Sequence, residues 1–195
     1  MMEKSNREIL SEVENYYSGK IAAHGATPQG VDWNGEESQF TRFKQLSRII
    51  IDKHRFSLND LGCGYGALFD FLSLAFNDFT YHGFDISEAM IDAAKEKHAA
   101  IDKAHFSVSS KPDEIADYSV ASGIFNVRLE RDDAEWWEYL CSTIDLLNRT
   151  SRLGFSFNCL TSYSDADKMK PYLYYADPCK VFDLCKRKYS RNVAL

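Results

Sequence analysis

The stretch Leu58-Asn59-Asp60-Leu61-Gly62-Cys63-Gly64-Tyr65-Gly66-Ala67-Leu68 decides how the rest of the chain is read. Glycine at three alternate positions is costly inside a helix or strand, about 0.5–1 kcal/mol each relative to Ala. It suits a backbone that must turn tightly and lie close to a ligand. The residues before the glycines read as a strand end, and Ala67 starts a helix whose N-terminal amides would face an anion. The spacing G-x-G-x-G differs from the G-x-G-x-x-G of dinucleotide enzymes and from the G-x-x-x-x-G-K-[ST] of phosphate loops. A nucleotide-dependent oxidoreductase is therefore disfavoured, and failure to bind NAD would dispose of it.

Outward from this turn the chain alternates strands with helices. Phe56 to Leu61 is the first strand, and the helix from Ala67 to about Phe76 leads to a second strand, Phe79–Asp85. Ser87 caps a helix from Glu88 to about Ala100, followed by a short strand over His105–Ser109. Val120–Phe125 is apolar on both faces, as a central parallel strand should be. Asp132 or Asp133 caps a long helix carrying Trp136, Trp137, Leu140, Ile144 and Leu147, and Arg152–Cys159 is the fifth strand. Asp177-Pro178 opens a last helix that ends near Lys188. Such alternation predicts an α/β fold, a doubly wound and mostly parallel sheet with helices on both faces.

Upstream, residues 3 to 18 place Ile9, Leu10, Val13, Tyr16 and Tyr17 on one helical stripe that Ser18-Gly19 should stop. Residues 19 to 35 read as a Gly-rich loop, and a second helix runs from about Glu36 to Lys53. The expected layout is a single domain: an N-terminal helical lid (1–53), a ligand-binding core (55–160), and a substrate-side segment with the last helix (161–195).

With 195 residues there is enough chain for one proper core. The net charge of -6 argues against a nucleic-acid partner, which usually meets a basic face. The five cysteines, Cys63, Cys141, Cys159, Cys179 and Cys185, contain no C-x-x-C pair, so neither a zinc site nor a disulfide framework is expected. No apolar run is long enough to span a membrane, and the polar N-terminus lacks a signal core, so a cytoplasmic protein is expected.

In an open α/β sheet the ligand sits beyond the carboxyl ends of the strands, beside strand one. Asp85 closes strand two, and a carboxylate there can accept both hydroxyls of a ribose. Asp60 either braces the turn or faces a cationic group of the ligand. With these residues in view, Asp60-x-Gly62-x-Gly64-x-Gly66 resembles motif I of the class I S-adenosylmethionine-dependent methyltransferases. Asp85-Ile86-Ser87-Glu88-Ala89-Met90-Ile91 resembles the motif II region of the same family. The resemblance covers about residues 55 to 160. The flanks, among them Trp33-Asn34-Gly35 and Tyr172 to Pro178, look like a smaller bacterial and archaeal subgroup of unassigned substrate.

The resemblance implies S-adenosyl-L-methionine as cofactor. Gly62, Cys63, Gly64 and Gly66 would cradle its methionine part, Asp60 its amino group, Asp85 its ribose and Ile86 its adenine. Family members often place an acid after strand three; here Ser109-Ser110-Lys111-Pro112-Asp113 leaves Ser110, the displaced Asp113 or a backbone group to substitute. Asn126 stands at the motif IV position, as a ligand-orienting amide or as a turn residue. Arg42, one helical turn from Gln39, faces either the cofactor's carboxylate or solvent. The resembled sheet ends with two further strands, and residues 189 to 195 leave room for the sixth at most. An open edge would invite a dimer.

The expected activity is in-line methyl transfer to a small-molecule acceptor; the alternative is a silent cofactor-binding or regulatory module. Candidate bases, should the acceptor need one, are His24 in the loop and cleft tyrosines Tyr17 or Tyr174, with Asn126 a further catalytic candidate.

Overall fold

The structure, a computed structural model, describes residues 2–33, 35–51 and 55–195, with side chains from Asn6 onward. Five parallel strands form the central sheet: β1 (Phe56–Leu61), β2 (Phe79–Asp85), β3 (Ala104–Val108), β4 (Ala116–Ala121) and β5 (Ser151–Phe157), in the order β3-β2-β1-β4-β5. β1 is central, so the switch in winding direction falls between β1 and β4. Strands this deeply placed are apolar on both sides. Leu58 and Tyr81 point into one core with Phe69, Leu72 and Ile91, whereas Leu61, Phe84 and Ala121 point to the other face, against Leu147.

The first face is covered by α2 (Glu36–Leu46), α3 (Ala67–Ser73) and α4 (Glu88–Lys97). The second is covered by α1 (Met2–His24), α5 (Asp133–Arg149) and α6 (Pro178–Lys188), which share a core of Ile9, Val13, Trp136, Leu140, Ile144 and Val181. Caps set the starts of three helices. The side chains of Ser87, Asp132 and Asp177 accept backbone N–H groups at the heads of α4, α5 and α6.

The structure corrects several boundaries. α1 does not stop at Ser18-Gly19 but runs to His24, because Ile21 is buried and that packing outweighs the roughly 1 kcal/mol cost of Gly19. Gly25 (φ 67) ends the helix instead, its N–H donating to Ile21 O at 2.8 Å. Most of residues 19 to 31 is therefore helical, in α1 to His24 and in a 3-10 turn at Pro28–Val31. α2 ends at Leu46 and continues as a 3-10 turn to Ile49; Lys53, its expected end, lies outside the described residues. α3 and α4 stop three residues early, at Ser73 and Lys97.

β4 occupies Ala116–Ala121, not 120–125. Its polar members disguise it: Asp117 is paired with the Ser57 N–H and Arg152, and Ser119 with Thr150 O. Gly123 (φ 88) then turns the chain away from the sheet. β3 and β5 are each displaced toward the N-terminus, and among the described residues no strand follows α6. A small parallel pair was not anticipated: β6 (Leu160–Thr161) with β7 (Tyr175–Ala176).

Candidate functional site

At the carboxyl end of β1 the chain passes through Gly62 (φ 76), Gly64 (φ 54) and Gly66 (φ 84), a left-handed region that penalises any Cβ. Space is short as well: a Cβ on Gly62 would stand 2.1 Å from Ile124 Cγ2, and one on Gly66 2.8 Å from His98 Cε1. The N–H groups of Gly62 and Cys63 both donate to Phe84 O, at 2.7 and 3.1 Å, which ties the turn to β2. The Cys63 thiol is buried, and burial pushes its pKa up, so it is a packing group rather than a nucleophile.

Asp85 completes the link. Its Oδ2 accepts the Gly64 N–H and its Oδ1 the Ser87 N–H, both at 2.9 Å. Each carboxylate oxygen keeps capacity for a further donor. Burial raises the Asp85 pKa, while the Ser87, Gly64 and Ile86 amides hold it down. Asp60, only 2% exposed, takes the Tyr81 O–H on Oδ2 at 2.5 Å. Its Oδ1 has no partner among the described residues. Burial, opposed by the Tyr81 hydrogen bond and reinforced by Asp85, lifts the Asp60 pKa to about 7. One oxygen thus braces the fold, and the other is an orphan acceptor.

These groups border a cavity of about 1040 Å³, at the upper end of ordinary ligand pockets. Its roof comes from Val31, Asp32 and Trp33. A Cβ on Gly64 would stand 3.1 Å from Val31 Cγ1, and one on Gly123 the same distance from Trp33 Cζ2. Asp32 holds a left-handed φ of 61, and both Tyr16 (2.9 Å) and Lys20 (2.6 Å) donate to its carboxylate, pinning the roof to α1. The Arg42 guanidinium lies 4.4 Å from the centre of the Trp33 ring and donates to Ser38 O and Oγ. Arg42 has no carboxylate partner among the described residues, and burial lowers its pKa.

The far wall is built on Asn126. Its Oδ1 accepts the Leu160 N–H at 3.2 Å and its backbone O accepts the Tyr174 N–H at 2.7 Å, so the loop after β4 carries β6 and β7. Val127 bridges Leu173 alongside. Residues 163 to 175 supply this wall with Tyr163, Lys168, Lys170, Tyr172 and Tyr175.

Of the residues singled out from sequence, Asp60, Gly62, Cys63, Gly64, Asp85, Ile86, Ser110, Asn126, Arg42 and Tyr17 all line this cavity. Gly66 does not; it turns the chain into α3. His24 is exposed at the end of α1, not in a loop over the cleft, and it is outside the lining; so is Asp113. Tyr174 packs into the second core. Burial raises the Tyr17 pKa, so the phenol offers an O–H rather than a base. Sequence reasoning missed Val31 and Asp32, whose only local signal was the turn that Pro28 initiates, and Tyr139, one of several aromatic residues on the buried face of α5. Among the described residues no group of three or more His, Cys, Asp or Glu could hold a metal.

A glycine turn with an orphan acid below and a braced acid beside it, at the switch point of a parallel sheet, is the arrangement expected of a Rossmann-like S-adenosylmethionine-dependent methyltransferase. Residues 59–148 match the family described as "Methyltransferase domain". A relative in Mycobacterium tuberculosis (strain ATCC 25618 / H37Rv), named "Putative methyltransferase Rv1506c", is 55% identical over 148 residues, covering 76% of this chain and 89% of the relative. The chain belongs to this methyltransferase family. Among solved structures, it is similar to magnesium protoporphyrin IX methyltransferase (ChlM) from Synechocystis PCC 6803 with bound SAM. That likeness has a TM-score of 0.65 at 13% identity over 89% of this chain and 82% of the other. The DhpI-SAH complex matches with a TM-score of 0.60 at 16% identity over 90% and 85%. At these identities the structures share the fold alone.

Proposed function

We propose that this methyltransferase acts on a small-molecule acceptor in the cavity beneath Val31–Trp33, and that the residues around the glycine turn hold the cofactor. S-Adenosylmethionine supplies a sulfonium-bound methyl that is already strongly electrophilic. The observation that carries the assignment is the pair of acids. Asp85 is braced by the Gly64 and Ser87 amides with capacity left for ribose hydroxyls, and the orphan Asp60 Oδ1 suits an ammonium group. Gly62 and Gly64 leave room for the methionine part, Cys63 supports them from below, and Gly66 holds their exit into α3. Arg42, cationic and without a carboxylate partner among the described residues, would take the cofactor's carboxylate. Ile86 would pack on the adenine, and Ser110 would meet its edge in place of the missing acid.

The protein's own work is alignment and exclusion of water. Trp33 seated on Gly123 closes the cavity from the lid side, consistent with α1 and α2 acting as a roof. Asn126 sets the position of the acceptor wall. No histidine lines the cavity among the described residues, and burial raises the pKa values of Tyr17 and Tyr139, so these two phenols offer O–H groups rather than bases. No helix among the described residues is long and apolar enough to cross a membrane.

Calorimetry with S-adenosylmethionine and S-adenosylhomocysteine tests the site; absence of binding by folded protein overturns it. Labelled methyl transfer separates an enzyme from a silent module. Sedimentation tests whether the outer edge of β5 pairs with a second copy.

A further inference from the structure

The charges lining the cavity do not match what its cofactor needs. Four acids line it: Asp32, Asp60, Asp85 and Asp165. Asp32 is paired with Lys20 at 2.6 Å and Asp165 with Lys168 at 2.7 Å, while Asp60 and Asp85 sit at the glycine turn. Six cations line the same space in a chain of net charge -6: Arg7, Arg42, Lys111, Arg149, Lys168 and Lys170. The cofactor carries a single carboxylate beside two cationic groups, so it uses one of these six.

The surplus meets an aromatic wall beyond Asn126. Tyr163 is 77% exposed and Tyr172 36%, although both face the cavity. Between them the backbone of Lys170 is fixed: its N–H donates to the Tyr175 hydroxyl at 2.8 Å, and its carbonyl accepts the Leu173 N–H at 3.1 Å. Its ammonium has no carboxylate partner among the described residues. Lys168 stands two residues away, in an exposed pair with Asp165 that is worth little.

We propose that the methyl acceptor is an aromatic organic acid whose anionic group is bound by Lys170, with Lys168 beside it, and whose ring lies against Tyr163 and Tyr172. This rests on the methyltransferase reading of the same cavity and names its substrate class. Aromatic faces hold a planar ligand, and an ammonium without a carboxylate partner among the described residues selects its charge. Both lysines are on the exposed segment after β6, so their replacement leaves the sheet and the glycine turn intact.

The test uses the full chain saturated with S-adenosylhomocysteine and titrated with 4-hydroxybenzoate or its neutral isostere 4-hydroxybenzamide. The acid is expected to bind about tenfold more tightly than the amide, with a preference that shrinks as salt is raised. The double variant Lys168→Met/Lys170→Met should lose that preference while its affinity for S-adenosylhomocysteine and its melting temperature stay at wild-type values. Equal affinity for acid and amide, no saturable binding of the acid, or a preference that survives in the variant overturns the proposal. Failure of S-adenosylhomocysteine to bind wild-type protein would instead overturn the cofactor assignment.

Discussion

The two ends of the cavity are built on different principles. The glycine-turn end, from Gly62 to Ser87, where we propose the cofactor binds, is local: two strands, two turns, and hydrogen bonds between residues at most a few positions from a strand end. The far end, proposed for the acceptor, joins Trp33, Asn126 and residues 160–175, which are far apart in the chain and meet only through tertiary contacts. A shared cofactor needs an invariant cradle, and turn chemistry supplies one cheaply. A particular acceptor needs a particular wall, and long-range assembly leaves that wall free to vary.

The comparison breaks most sharply at Asp85. Asp85→Ala removes the partner of the Gly64 and Ser87 amides and two acceptors for the cofactor; it should weaken S-adenosylhomocysteine binding by about 2–3 kcal/mol in calorimetry. Unchanged affinity would refute the ribose assignment. Gly62→Ala comes next, since φ 76 and the 2.1 Å approach to Ile124 Cγ2 should together cost about 1–3 kcal/mol of stability in urea. A Gly62→Ala/Ile124→Ala pair should recover the part due to crowding but not the part due to φ.

Asp60 links the cofactor end to pH. Its unfolded-state pKa is near the ordinary carboxylate value of 3.8, while in the fold burial lifts it to about 7. Between those values the folded chain holds a proton that the unfolded chain has lost, so Asp60 makes stability fall as pH rises from about 4 to 7. Asp60→Asn keeps an acceptor for the Tyr81 hydroxyl and should flatten that slope, leaving the free protein more stable at pH 8. The same variant should weaken cofactor binding, and the opposing signs distinguish a ligand-facing acid from a structural brace.

The smallest effect belongs to the acceptor end. Asn126→Ala deletes one hydrogen bond to the Leu160 amide, worth about 0.5–1.5 kcal/mol. Hydrogen exchange at Leu160 should rise while the Gly64 amide keeps its protection. Loss of protection at both would show that the two ends are a single cooperative unit.

Helix starts at Ser87, Asp132 and Asp177 were legible because a capping side chain and the amides it accepts lie within three residues. β1 and β2 were legible to the residue because their apolar runs end at a glycine turn and an acid. β4 was misplaced because Asp117 and Ser119 look unlike a buried strand until their partners on Ser57, Thr150 and Arg152 are seen. α1 was cut short at Gly19 for the same reason: the burial of Ile21 that sustains it is a tertiary fact.

Taken alone, the amino-acid sequence determined the sheet class, the glycine turn and the two acids beside it, since each depends on backbone conformation and spacing within one βα unit. Only the tertiary structure decided that Asp60 keeps one oxygen unpartnered among the described residues, that Trp33 closes on Gly123, and that Lys170 and two tyrosines line the far wall of the cavity. Those features arise where segments distant in the chain pack together, and no local pattern of residues encodes a distance of that kind.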